Sequence, residues 1–416
     1  MHHYLTWIIA ALITAGIIIR PFRVSEAVWA VAGAVLLVLL RLITPEDALN
    51  GINKGLDVYL FLTGMMLLAE TAREEKLFDW LAAHATRLAK GSPTRLFLLI
   101  YVVGVIVTTF LSNDATAVVL TPAVAASVRA ARVKNPLPYL LICAFIANAA
   151  SFVLPISNPA NLVIYASHMP PLLQWLPRFL LPSILSIVIT YLMLYLTQKK
   201  ALKQVIETDI VIPDLSRGGR TALIGIGGTT VVLLVASALN MSLGLPTAIT
   251  GIITSAIVVI SSRQNPWKII KGVSWAVLPL VAGLFVMVEA LNKTGLIAEV
   301  SSFLHQQSIV SINTAAWGSG IGIALICNLM NNLPAGLIAA SAVQTGHVPD
   351  LVRSAVLIGV DLGPNLSVTG SLATILWLVA LRREQQEVSA WNFLKLGALV
   401  MSVALLFALA ALWIGA

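Results

Sequence analysis

Charge is what this chain has least of. Of its 416 residues only 11% are Asp, Glu, Lys or Arg, against about 25% in an ordinary soluble domain, while 58% are hydrophobic. That deficit excludes a soluble globular protein. Many apolar runs approach the roughly 20 residues that a helix needs to cross about 30 Å of hydrocarbon, which leaves room for about ten crossings and no separate soluble domain. Cysteine is also scarce: Cys143 and Cys327 each sit inside an apolar run, which excludes a disulfide framework or a Cys-rich metal site and reads as small buried hydrophobes. His84, His168, His305 and His347 fall in loops or amphipathic stretches without ligand spacing, so neither a metal nor a cofactor is expected. A basic leader is missing too. No Lys or Arg precedes the run Tyr4 to Ile19, and Arg20-Pro21 follows where small residues would mark cleavage, so that run reads as the first membrane helix.

What is present is a series of apolar runs in a recurring order. Helices are predicted near 4–19, 27–43 and 58–71, with an amphipathic stretch near 74–90. An interrupted pair follows at 95–111 and 114–130, then a long helix broken around Pro155 to Pro159, then an unbroken one at 178–197. Beyond the polar segment 198–219 the order returns: helices near 220–240, 246–262 and 274–291, and an amphipathic stretch at 295–308. An interrupted pair centred on Asn331 and Asn332, a helix broken around 363–370, and a last helix near 391–414 complete it. Positions agree as well as order. TGMMLLAE (63–70) aligns with AGLFVMVE (282–289), pairing Gly64 with Gly283 and Glu70 with Glu289 at a separation of 219, which also links Asn113 to Asn332. The chain reads as a tandem repeat. Glu70 and Glu289, at matching helix ends, read as interfacial anchors, and the two amphipathic stretches as helices lying flat at the interface.

If each interrupted pair dips in and returns on one side, each half makes five crossings and the halves are inverted, as in many secondary transporters. Loop charge supports this: with the N-terminus outside, twenty Lys and Arg fall on the cytoplasmic side and five (Arg41, Lys54, Arg178, Lys293, Arg353) on the other, in accord with the positive-inside rule. Both termini are then outside. The net charge of +8 is explained by topology, and no nucleic-acid partner is implied.

LSNDATAVVLTP (111–122) places Asn113 and Asp114 directly after sixteen uncharged residues. An ionisable group at membrane depth costs about 2.5–3.5 kcal/mol on insertion scales and marks a cavity or pathway by default. Four interruptions, SND (112–114), PISNPAN (155–161), MNNLPAG (330–336) and SVTGSLA (367–373), each start a helix with a capping residue. Ser112 or Asn113, Asn158 before Pro159, Asn332 before Pro334, and Thr369 or Ser371 are the candidate caps. Four helix N-termini at the midplane make a polar chamber rich in amides and hydroxyls and poor in fixed charge. Asn148, inside an apolar helix, and Asn331 are candidates for supporting contacts.

LSNDATAVVLTP, PISNPANLV and above all DLGPNLSVTGSLATILW (361–377) resemble the ArsB-type arsenite and antimonite efflux permeases of the ion transporter superfamily, over essentially the whole chain. The resemblance implies an all-α polytopic membrane protein of two inverted repeats of about five helices each, with two re-entrant hairpins and two broken helices. It implies a proton-coupled antiporter of the inner membrane that expels neutral arsenic and antimony trihydroxides, and a mobile transport unit moving against a scaffold. Residues 1–92 and 220–309 would be scaffold, 93–197 and 310–416 transport elements, and 198–219 a cytoplasmic linker. Carried over by motif, Asn113, Thr116, Ser157, Asn158, Asn332, Thr369 and Ser371 would contact cargo. A pyramidal trihydroxide donates and accepts three times over, which suits such groups. Asp114 is the expected proton carrier, burial and a helix N-terminus acting on it in opposite senses; Asp361 is the rival. Some relatives dock a cytoplasmic ATPase, and the sequence leaves that partner open.

A sodium-coupled anion carrier or a sodium/proton antiporter would use the same fold, and a passive channel would ignore a collapsed proton gradient. As an enzyme, WGSG (317–320) faintly resembles the serine motif of an intramembrane protease, but that chemistry needs a later membrane histidine and His347 is loop-borne. GSG reads instead as close helix packing.

Overall fold

The computed structural model of the chain describes residues 2–21, 24–165, 169–207, 212–346 and 348–414; Arg23, His168 and His347 lie outside them. Among the described residues there are helices and no strand. The first half comprises α1 (His2–Ile19), α2 (Glu26–Leu39), α3 (Pro45–Lys54), α4 (Leu56–Glu74), α5 (Leu77–Leu88) and α6 (Pro93–Phe110). It continues with α7 (Asn113–Ala115), a π-helical turn (Thr116–Leu120), α8 (Thr121–Ala130), α9 (Leu137–Ala149), α10 (Pro159–Tyr165) and α11 (Leu172–Gln198). The second comprises α12 (Arg217–Ala238), α13 (Gly244–Ser262), α14 (Pro266–Gly272), α15 (Val277–Lys293) and α16 (Leu296–Val310). Then come α17 (Ile312–Met330), α18 (Asn332–Thr345), α19 (Asp350–Leu362), α20 (Leu372–Arg383) and α21 (Ala390–Ala411).

Starts are set by side chains that accept the otherwise orphaned first-turn N–H groups. Thr44, Ser92, Ser216, Ser311 and Ser389 each do so, the first two ahead of a proline in the first turn. Among the described residues seven helices are long and apolar enough to span a membrane, or eight if α3 and α4, bent by 48°, are one span. The chain is therefore a multi-pass membrane protein. The count falls short of ten because α1, α2 and α9 are shorter apolar helices, and because neither member of the broken pairs α9/α10 and α19/α20 is long enough to span alone. Two elements were absent from the sequence reading, α3 and α14. They are ten and seven residues long, and α3 is polar, so neither stands out as an apolar run.

The halves pack reciprocally. α4 lies on α13, and α15 lies on α2. Both contacts use glycine: a Cβ on Gly64 would fall 2.1 Å from the Thr247 carbonyl oxygen, and one on Gly283 would fall 2.7 Å from that of Ala30. α10 packs on α18, while α20 packs on α8 and the π-turn; α11 and α21 pack on each other. At WGSG close packing holds for Gly320, whose Cβ would sit 3.0 Å from the Ala355 carbonyl oxygen, but not for Gly318, which has open space around it. Cys143 and Cys327 are buried and unpaired. Glu70 is buried against Arg73 of its own helix, and Glu289 pairs with Lys54 at 2.6 Å.

Candidate functional site

Each interruption resolves into a cap. The Ser112 hydroxyl accepts from Ala115 N at 3.1 Å, and Asn113 Oδ1 from Asp114 N at 3.0 Å. The π-turn follows at once, a rare element found mostly at functional sites, and Thr116 ties it to α6 through Thr108 at 2.8 Å. Asn158 caps α10, accepting from Ala160 N at 3.1 Å. In the second hairpin Asn331, not Asn332, is the cap: at φ 72° it accepts from Leu333 N at 3.3 Å. With ψ at 152° this is strained backbone of a kind populated almost only by glycine. Asn332 is displaced into the first turn, where its N–H donates to the Gly370 carbonyl at 2.8 Å. Ser371 rather than Thr369 caps α20, accepting from Thr374 N at 3.0 Å.

These ends enclose a chamber lined by Asn113, Asp114, Asn158, Pro159 and Asn332, with Leu62, Val277, Val281, Leu333, Leu372 and Ala373 as apolar walls. Its volume of about 20 Å³ holds roughly one water. Asn332 Oδ1 is buried there with no partner. No Lys or Arg lines it.

The other predicted contacts form a supporting layer. Ser157 donates to the Thr109 carbonyl at 2.9 Å, and Thr369 to the Asn328 carbonyl at 3.1 Å. Asn331 also reaches the Thr369 carbonyl at 3.4 Å, and Ser371 pairs with the Thr374 hydroxyl. Asn148 donates to Asn365 Oδ1 at 2.9 Å and so ties one broken helix to the other. Asp361 is fully buried and accepts from Asn158 Nδ2 at 2.8 Å. Thr116, Ser157, Thr369, Ser371, Asn148, Asn331 and Asp361 line none of the chamber. Sequence reasoning missed Asn328 and Asn365, which anchor the second hairpin and the second break; an amide in each apolar run was the available signal.

A vestibule lies at each end of the chamber. The larger, about 790 Å³, includes Ser112, Glu70, Arg73, Lys76 and Arg383, and shares Leu62, Asp114, Pro159 and Val277 with the chamber. The smaller, about 670 Å³, includes Lys54, Asp57, Glu289 and Gln344 and shares no lining residue with it. Between them stands one helical turn on each element: Val58 to Leu62 on α4, Val281 to Phe285 on α15, Leu333 to Leu337 on α18. One turn is about 5.4 Å. α4 runs from the smaller vestibule to the larger and α15 the opposite way.

The 219-residue offset returns here as geometry. Val58, Glu289, Asn292, Leu337 and Ser341 line the smaller vestibule, and Val277, Glu70, Arg73, Val118 and Pro122 line the larger. Within the chamber, Leu62 answers Val281 and Asn113 answers Asn332. Asp114, by contrast, stands where the second copy has the apolar Leu333.

Apolar helices broken in pairs around a buried polar chamber, with a vestibule at either end, are the build of a membrane transporter. The chain belongs to the citrate transporter family, whose profile matches residues 7–359. It is similar to the arsenical pump membrane protein of Escherichia coli K12, 27% identical over 91% of this chain and 90% of that one. It is also similar to that of Yersinia enterocolitica, 28% identical over 80% of both. These relatives bear out the ArsB-type resemblance. Among solved structures it is similar in fold to the Alcanivorax borkumensis YdaH transporter, with TM-score 0.58 and 16% identity over 88% of this chain and 87% of that one. The Neisseria gonorrhoeae MtrF structure has TM-score 0.58 and 12% identity, over 100% and 94%.

Proposed function

We propose that the protein exports arsenite and antimonite, as neutral trihydroxides, from the cytoplasm in exchange for protons by alternating access. The observation that carries this reading is the chamber's chemistry: three amides and one carboxylate, and no cation. A polycarboxylate such as citrate would meet Asp114 without a counter-charge, at about 4 kcal/mol of repulsion per carboxylate at 4 Å and an effective dielectric of about 20. A trihydroxide meets no such penalty and can bond to amides as donor and acceptor. The similarity to arsenical pump proteins supports the same cargo.

Asp114 is the group through which proton and cargo exclude each other. It lines both the chamber and the larger vestibule, whereas Asp361 lines neither the chamber nor either vestibule. The larger vestibule carries Arg73, Lys76 and Arg383, residues of the basic-rich side, and so opens to the cytoplasm; both termini are then outside. α4 and α15 running oppositely between the vestibules supports two inverted repeats. α10 and α18 move as transport elements against α4 and α15 of the scaffold. The chamber is too small for a trihydroxide as it stands, so loading widens it toward the cytoplasmic vestibule.

The reading is tested in everted vesicles of cells expressing the protein. A proton gradient should drive arsenite accumulation that antimonite inhibits, that citrate does not, and that sodium does not change. Sodium-dependent citrate uptake in place of arsenite uptake would refute it.

A further inference from the structure

Asp361 is a buried carboxylate that this exchange leaves idle. It lies on α19 of the second half and is held from the first half: Oδ1 accepts from Asn158 Nδ2 at 2.8 Å, and the Ser151 hydroxyl also interacts with the carboxylate. Asn158 is the amide that lines the chamber and caps α10, its Oδ1 accepting from Ala160 N at 3.1 Å. A primary amide has two N–H groups and two lone pairs. Each end of Asn158 is thus half used by the protein and half free for a solute. Asn158 Oδ1 already accepts from Ala160 N, so with Asp361 Oδ1 as acceptor the NH₂ end of Asn158 is held toward α19 and the carbonyl end toward the α10 N-terminus. The opposite flip would set oxygen against oxygen and break the cap.

We propose that Asp361 is a positioning residue that fixes the orientation of the Asn158 amide in the chamber and thereby sets cargo affinity, without carrying a proton. The inference rests on the chamber being the cargo site. An amide at this position keeps the acceptor that Asn158 needs, whereas an isosteric hydrocarbon does not.

The test compares Asp361→Asn with Asp361→Leu in everted vesicles, with protein level and monodispersity controlled. Asp361→Asn should keep proton-driven arsenite uptake, its pH profile and a KM within about threefold of wild type. Asp361→Leu should raise KM about tenfold, with the pH profile unmoved. Loss of proton coupling in Asp361→Asn would make Asp361 the carrier, and wild-type behaviour in both variants would show that it positions nothing; either overturns the proposal. An Asn158→Cys, Asp361→Cys double variant reports the contact whatever the cargo. Oxidation should cross-link α10 to α19, and absence of a cross-link counts against the pairing. If the wild type moves no arsenite but the cross-link forms, the cargo assignment has failed and the contact has not.

Discussion

Asp114 is the one ionisable residue lining the chamber, and the second copy carries Leu333 at the corresponding site. A duplicated module has no structural need for an acid in one copy alone, because Leu333 closes the equivalent corner without one. Asn332 makes the next prediction. Its Oδ1 faces the chamber without a partner, so Asn332→Ala should leave folding intact while removing one cargo bond. A hydrogen bond contributes about 1 kcal/mol net, so arsenite KM should rise about fivefold, read from initial rates at varied arsenite; an unchanged KM would remove Asn332 from the contact set. At this scale the sequence was informative about which residues matter and weaker on what each does. Asn331 and Asn332 are adjacent amides, and only backbone φ decides which is the cap. The apolar walls Leu62 and Val281 look like any lipid-facing residue in sequence, although they too stand 219 apart.

At the scale of elements, the glycine contacts between α4 and α13 and between α15 and α2 hold the two halves together. Gly64→Val would drive a branched side chain into the Thr247 backbone, and overpacking of this kind costs about 1–3 kcal/mol or more. The expected outcome is a lower thermal midpoint in detergent, followed by fluorescence-detected gel filtration. Gly228→Val, with open space around its Cβ, should match wild type; equal behaviour of the two variants would discount the contact. The one-turn barrier makes a second prediction. Val277 borders the chamber and the larger vestibule, while its counterpart Val58 is buried beside the smaller one. Exchange of states should exchange these environments. Reaction rates of Val277→Cys and Val58→Cys with a small maleimide should therefore move in opposite directions when cargo and a pH gradient are imposed. Rates that move together would contradict alternation. Interrupted apolar runs made the hairpins and broken helices legible beforehand, because a cap or proline inside such a run has few other uses. α3 and α14 stayed hidden because α3 is polar and both are short, so neither reads as an apolar run.

For the whole molecule, the order of elements, the shared offset and the two vestibules support the proposal of one module used twice, as does the spacing of Gly64/Gly283, Glu70/Glu289 and Asn113/Asn332. What the sequence could not convey was contact: that Asn148 and Asn365 join the two breaks, or that Asn158 reaches Asp361, since such pairs lie more than 200 residues apart. The account as a whole depends on an acid in the chamber exchanging protons against an uncharged cargo. The most direct measurement is proton-driven arsenite accumulation in everted vesicles by Asp114→Asn beside wild type. The variant should still equilibrate arsenite but no longer concentrate it, at any pH. Accumulation at the wild-type level with the wild-type pH dependence would contradict the account.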